Sequence, residues 1–145
     1  MGGTAPLPID GQGSHPTTEE LTTDARQRAD IAATAAGSKK GDDILVLEVG
    51  DIIAITDVFV IASGTNRRQV RTIVEEVERQ ISDQTGIRPG SVEGLDDASW
   101  VLLDYGDLVV HVFLDETRAY YDLERLWADA PRVTWDPGRQ DEAVS

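Results

Sequence analysis

The chain has 145 residues, of which 40% are hydrophobic and 28% charged, enough for one domain with its own core. Its 27 acidic and 13 basic residues give a net charge of −14, which argues against binding naked nucleic acid. A basic protein partner is easier to accommodate, although high acidity that only keeps the protein soluble explains the charge as well. The lack of cysteine excludes disulfides and thiol catalysis, and no apolar run reaches the length of a membrane span, so we expect a cytoplasmic protein.

The first part of the chain divides into a tail and a helix. Residues 1–16 are rich in glycine and proline without periodicity, which predicts a disordered tail. Thr17 and Glu20 have the spacing of a capping box. Alanines then recur at helical spacing, which predicts a helix to about Ala36 that packs closely on a sheet.

Two apolar strands, at 44–49 and 57–62, are predicted next. Neither alternates cleanly, so we expect both to lie inside the sheet, covered on both faces. Asn66, with Gln69 three residues later, then predicts a helix to about Gln84. The expected buried stripe of this helix consists of Val70, Ile73, Val74, Val77 and Ile81.

The first turns of that helix carry Arg67, Arg68 and Arg71, where cations oppose the positive end of the helix dipole. Two interpretations remain open at this point. The arginines meet an anionic partner, or they pair with Asp57 or other local acids.

A short edge strand within residues 87–94 precedes a predicted hairpin over 100–114 that turns at Asp104–Asp107. With Leu103 and Leu108 flanking the turn, Val101 would lie opposite Val110.

The two faces of this hairpin differ in composition. The core face carries Val101, Leu103, Leu108, Val110 and Val112. The other carries Trp100, Leu102, Asp104, Asp107, Val109, His111 and Phe113. Aromatic residues ringed by polar groups are typical of a docking surface, although a covering helix with acids at its rim would give the same pattern. In this register Asp104 and Asp107 would form an unfavourable like-charge pair.

A third helix is predicted from Asp115 to Ala130–Pro131, with Tyr121, Leu123, Leu126 and Trp127 at its apolar positions. Residues 132–145 are expected to be an irregular tail, so the domain is 17–131. The element order predicts a single α/β domain, with a mixed sheet of about five strands flanked by helices.

The sequence signals for a catalytic or metal site are weak. His111 is the only histidine in the folded part, which leaves no set of histidine ligands for a metal. A triad of Ser63 or Ser99 with His111 and Asp107 lacks a nucleophile elbow. Asp104 and Asp107, with Asp57 or Glu48, could in principle hold two metals. We expect no cofactor and no enzymatic activity, with a metal-dependent nucleotidyltransferase as the alternative.

Several motifs occur in an ordered combination. They include Gly64-Thr65-Asn66, Gly106-Asp107-x-x-x-His111 and Arg118-x-x-Tyr121-Asp122-Leu123-Glu124-x-Leu126-Trp127. Together, over roughly residues 25–131, they resemble the ribosomal silencing factor family, RsfS, also called Iojap. One departure is Gln69, which stands where a histidine is common in the family.

The resemblance implies a fold similar to nucleotidyltransferases but without their catalytic acids. It implies that the chain binds the large ribosomal subunit through ribosomal protein uL-fourteen. This would block joining of the small subunit and repress translation under starvation or in stationary phase. It also implies a possible homodimer when the protein is free, and leaves contact of the arginines with ribosomal RNA open.

On this reading the partner contacts fall into four groups. Apolar contact would come from Trp100, Leu102, Val109 and Phe113. Asp104, Asp107 and Glu93 would pair with basic partner residues, and His111 would form a hydrogen bond. Arg118, Tyr120 and Tyr121 would extend the patch from the last helix.

Overall fold

The computed structural model describes residues 18–133 and 135. The predicted disordered tail, the capping residue Thr17 and most of the C-terminal tail lie outside these residues. The elements in chain order are α1 (Thr18–Ser38), β1 (Asp42–Glu48), β2 (Val58–Gly64), α2 (Arg67–Thr85), β3 (Ser91–Glu93), β4 (Trp100–Asp104), β5 (Leu108–Leu114), α3 (Asp115–Tyr121) and α4 (Leu123–Leu126). None of the helices in this part of the chain is long and apolar enough to span a bilayer.

The five strands form one mixed sheet in the order β1-β2-β5-β4-β3. β2 and β5 are parallel, and the other neighbours are antiparallel. The predicted mixed α/β fold is therefore confirmed. The likeness to nucleotidyltransferases stays a prediction.

The interior position predicted for β1 is wrong, because β1 is an edge strand. Its free edge is instead covered by the chain after α4. The Glu48 amide donates to the Pro131 carbonyl and the Val133 amide to the Val46 carbonyl, each at 2.8 Å. Trp135 Nε1 donates to the Ile44 carbonyl at 3.1 Å. Part of the segment predicted as an irregular tail therefore extends the sheet.

Helices α1 and α2 cover one face of the sheet. Buried alanines let α1 approach closely, and all five residues of the predicted stripe of α2 are buried. The Asn66 side chain accepts a hydrogen bond from the Gln69 amide at 2.8 Å, as expected for an N-cap. Gly86 ends the helix with a φ of 77°, a left-handed conformation that glycine adopts without strain.

The hairpin register differs from the predicted one by two residues. Val101 lies opposite Val112, and Leu103 opposite Val110. The turn consists of Gly106 and Asp107 and is closed by a hydrogen bond from the Tyr105 amide to the Leu108 carbonyl at 2.8 Å. A shift by an even number leaves the side chains of β4 and β5 on their predicted faces. It removes the predicted pairing of Asp104 with Asp107, since Asp104 lies opposite Val109.

The last predicted helix is broken in two at Asp122, which has a φ of 49°. Beyond the break Leu123 is buried, but Leu126 is 72% exposed, so its predicted place in the core is wrong. Tyr121 is also largely exposed. Together with Leu47, Phe59, Ile61 and Phe113, Leu123 forms a second, smaller core on the face opposite α1 and α2.

Candidate functional site

The second core leaves part of its sheet face uncovered, toward β3 and β4. Side chains opposite each other in antiparallel pairs share a face, so Glu93 lies beside Leu102, and Asp104 beside Val109. Leu102 and Val109 are partly exposed, and Glu93 and Asp104 are exposed. We call Glu93, Trp100, Leu102, Asp104 and Val109 the open face. All five were predicted as partner contacts.

Trp100 is fixed in place by its neighbours. Its ring stacks on Phe113, with ring centroids 4.9 Å apart, and its Nε1 donates to His111 Nδ1 at 3.2 Å. Phe113 is 0% and His111 4% exposed. The predicted role of Phe113 as a direct contact therefore does not fit its position, because this ring lies beneath Trp100. We conclude that Phe113 and His111 orient the partly exposed ring of Trp100.

His111 is a neutral imidazole in this environment. Burial lowers its pKa from 6.5 to about 4. Since Nδ1 accepts from Trp100, the proton of the neutral ring is on Nε2. That Nε2 is buried and has no hydrogen-bond partner within the described residues.

Asp107 does not belong to the open face. Its carboxylate pairs with Arg28 of α1 at 2.6 Å, and the Arg28 side chain is only 8% exposed. The ion pair ties the hairpin turn to the helix on the opposite side of the sheet, which corrects the predicted partner contact. Sequence reasoning missed Arg28. The available signal was its spacing of three residues from Ala25, which places it in the buried stripe.

The predicted contact Arg118 is also corrected, because its side chain is 7% exposed. It donates to the carbonyl oxygens of Asp42 and Asp43 and to Ser63 Oγ, and it pairs with Glu124 at 3.1 Å. These bonds anchor α3 to the sheet, a structural task.

The neighbouring tyrosines do reach the surface. Tyr120 is 81% and Tyr121 53% exposed. The Tyr121 ring centroid lies 5.0 Å from that of Trp100, and Tyr120 contacts Tyr121 edge-on at the same distance. The tyrosines therefore extend the aromatic surface of the open face from α3.

A pocket of about 330 Å³ adjoins the open face. It lies between the hairpin and the loop from β1 to β2. Its lining consists of Ile53, Ile55, Thr56, Phe59, Leu102, Asp104, Gly106, Val109 and His111. Sequence analysis did not assign the loop residues to the site, although an apolar run at 52–55 in a loop is the signal that marks them.

The arginines of α2 make local contacts. Arg67 Nε donates to the Asp97 carbonyl at 2.9 Å, and Arg71 donates to the Asp96 carbonyl at 2.7 Å. Of the two open interpretations, pairing with local groups therefore applies to Arg67 and to Arg71. Their partners are in the loop at 96–97, whereas Asp57 had been expected. Arg68 is exposed.

The acids considered for a two-metal site are held apart by separate partners. Glu48 pairs with Arg26 at 3.3 Å, and Asp107 with Arg28. Asp104 accepts a hydrogen bond from the Gly106 amide at 2.8 Å. Within residues 18–133 and 135, no group of three or more potential ligands is placed to hold a metal ion.

The serines and the turn before α2 are likewise engaged. Ser63 is 1% exposed and bonded to Arg118, and Ser99 Oγ donates to Asp97. The Thr65 amide, which a phosphate would need, donates to Gln69 Oε1 at 2.7 Å. The geometry therefore favours a binding surface over a catalytic site.

Comparison with known proteins gives a consistent result. The model of the family RsfS, described as "Ribosomal silencing factor during starvation", matches residues 22–145. Ribosomal silencing factor RsfS of Bacillus subtilis is 45% identical over 108 residues, which cover 74% of this chain and 91% of the relative. The mouse protein "Mitochondrial assembly of ribosomal large subunit protein 1" is 33% identical over 68% of this chain and 44% of its own length.

The fold is shared with a solved relative. A crystal structure of a Chromobacterium violaceum protein superposes with a TM-score of 0.68 at 33% identity, covering 72% of this chain and 86% of that one. The match to the family spans nearly the whole chain, including the open face and the second core. The chain therefore belongs to the RsfS family of ribosomal silencing factors.

Proposed function

We propose that this chain binds the large ribosomal subunit through ribosomal protein uL-fourteen and blocks joining of the small subunit. Translation would thereby be repressed in the cytoplasm under starvation or in stationary phase. The family assignment supports a ribosomal partner, and the name of the mouse relative connects that protein with the large subunit.

The observation that carries the proposal is the combination of aromatic and acidic groups on the open face. Trp100 and Tyr121 offer large rings that lose little conformational freedom on binding, a property typical of residues that dominate interface affinity. Glu93 and Asp104 stand exposed beside them. Such acids at the rim favour a basic partner and accelerate docking, as does the net charge of −14.

The second part of the proposal is that the free protein forms a homodimer through the same surface. Exposed rings and apolar side chains that dock on a partner can also bury one another in a second copy. The dimer would then compete with ribosome binding, because both use Trp100.

The test is co-sedimentation of the purified protein with isolated large and small subunits. We expect wild type to travel with the large subunit only. The variant Trp100→Ala/Asp104→Lys should stay behind, since it loses the central ring and reverses one rim charge. A matched control is Glu75→Lys/Ile87→Ala. It also reverses one negative charge and truncates one exposed apolar side chain, but Glu75 lies in α2 and Ile87 just after it, away from the open face. This control should sediment like wild type.

Two further measurements separate the parts of the proposal. Binding of wild type to purified uL-fourteen tests the named contact directly. Addition of the protein to separated subunits before they are mixed should reduce the fraction of joined ribosomes. If wild type binds neither subunit, the proposed function fails. If it binds without reducing joining, the silencing mechanism is wrong although the contact stands.

A further inference from the structure

The pocket beside the open face combines an apolar wall with an unused hydrogen-bond donor. We propose that it takes an apolar side chain from a basic segment of the protein partner, with an oxygen of that segment accepting a hydrogen bond from His111 Nε2. The inference rests on the proposed function and specifies the chemistry of the segment that docks. The residues that carry it are Ile55, Phe59, Asp104, Val109 and His111.

The loop between β1 and β2 supplies an apolar wall of the pocket. Ile55 lines the pocket and is 83% exposed, which is unfavourable for an aliphatic side chain of its size. Across the pocket, Val109 is only partly buried and Phe59 is held by an edge-on contact with Trp127. An inserted apolar side chain would remove Ile55 and Val109 from water together, so their exposure favours such an occupant.

His111 supplies the hydrogen-bond donor of the pocket. Trp100, which binds Nδ1, is not part of the pocket lining, whereas His111 is. Nε2 carries the proton and has no acceptor among the described residues, although it is buried. Buried donors without an acceptor are rare in folded proteins and carry a cost that a suitable ligand removes. The required ligand atom is an acceptor, so a backbone carbonyl of an extended segment fits, and a lysine or arginine head group does not.

Asp104 supplies a negative charge at the pocket. Asp104 is exposed, and the bond from the Gly106 amide engages only its Oδ1. A carboxylate at this point favours a lysine or arginine next to the inserted residue. An apolar residue flanked by basic ones is therefore the segment that the pocket fits. A free acidic metabolite does not fit, because it would face the Asp104 carboxylate.

The binding test replaces one residue of the loop. Ile55→Arg should weaken binding to the large subunit and to purified uL-fourteen at least tenfold, because it removes the apolar wall and adds a charge that repels a basic segment. The matched control is Ile52→Arg. Ile52 is 49% exposed in the same loop but does not line the pocket, so its affinity should stay within about twofold of wild type. Thermal unfolding of both variants checks that they fold.

The hydrogen-bond test uses protein labelled with ¹⁵N at histidine. In the free protein, the imidazole spectrum should show His111 as the neutral form with a proton on Nε2. Addition of purified uL-fourteen should move this proton signal downfield and slow its exchange with water. His15, the other histidine of the chain, is an internal reference that should not change.

The possible outcomes distinguish the pocket from the proposed function. If wild type binds no large subunit, the proposed function fails and the pocket assignment with it. If wild type binds and Ile55→Arg binds equally well, the pocket is not used and the inference alone fails. If Ile55→Arg binds weakly but the His111 signals do not respond to uL-fourteen, the assignment of His111 as a donor is wrong.

Discussion

The two faces of the β4–β5 hairpin are built from alternate residues of the same strands, yet they have different tasks. On the helix-covered face, Leu103 and Val110 pair across the strands and are completely buried. On the other face, Leu102 pairs with His111 and remains partly exposed. The covered face supplies stability through uniform apolar packing. The other combines rings, acids and an unpaired donor, groups that stabilise poorly by themselves but recognise a partner.

The largest expected effect tests this division of tasks directly. Leu103→Ala should lower the free energy of unfolding by about 3 kcal/mol, because it leaves a cavity in the helix-covered core. Leu102→Ala, the same change one residue earlier, should cost only about 1 kcal/mol but weaken binding to the large subunit. Urea unfolding measures the first effect and co-sedimentation the second. Equal losses of stability would show that the two faces are not distinct.

The second prediction concerns the ion pair that joins the hairpin turn to the covered face. Asp107→Asn should lower the free energy of unfolding by about 3 kcal/mol, because it leaves the buried Arg28 charge without its partner. Asp83→Asn is the control. Its partner Arg79 is well exposed, so the loss should stay below about 0.5 kcal/mol. Both variants are denatured at the same salt concentration. Similar losses in the free energy of unfolding would show that the Asp107–Arg28 pair contributes no more than an exposed ion pair.

The third prediction concerns His111, which is buried next to the open face. The pKa of His111 is about 4 in the folded protein and near 6.5 when unfolded, so between these values the unfolded chain binds more protons. Stability should therefore be highest above pH 6.5 and fall by about 2 kcal/mol from pH 7 to pH 5. In His111→Gln, stability should depend less on pH between pH 7 and pH 5. Glu76, with a pKa lowered to about 2 by its hydrogen bond from Arg79, contributes a loss only below pH 4.5.

The smallest expected effect is at the start of α2, on the covered side. Asn66→Ala should lower the free energy of unfolding by about 1 kcal/mol, because the Gln69 amide loses its acceptor. Asn66→Asp keeps an acceptor there and should be close to wild type. Thermal unfolding measures both variants. A change in ribosome binding with Asn66→Ala would contradict the separation of the two faces.

Predictions made from local patterns agree best with the structure. Helix α2 was expected at 67–84 and is found at Arg67–Thr85, since its cap and apolar stripe are encoded within the helix itself. The faces of the two hairpin strands were also correct, but the face of the turn residue Asp107 and the register were not. Register depends on which residues form the turn, and Gly106, with a φ of 88°, places the turn at 106–107.

Predictions that needed the order of the strands were less successful. Nothing local in β1 indicates an edge strand, because its position follows from the parallel pairing of β2 with the distant β5. For the same reason alternation placed Phe113 and His111 on the correct face but could not indicate that Trp100 stacks on one and hydrogen-bonds to the other. The exposure of Ile55 likewise depends on where the loop lies over the sheet.

The segment after α4 has a consequence for how the protein can be shortened or tagged. β1 forms one edge of the sheet. Pro131, Val133 and Trp135 occupy the hydrogen-bonding groups of Glu48, Val46 and Ile44, respectively. A chain cut after Ala130 would expose a row of unpaired amides and carbonyls beside apolar side chains. Such an edge recruits strands from other molecules, so the truncated chain should aggregate where the longer one remains dispersed.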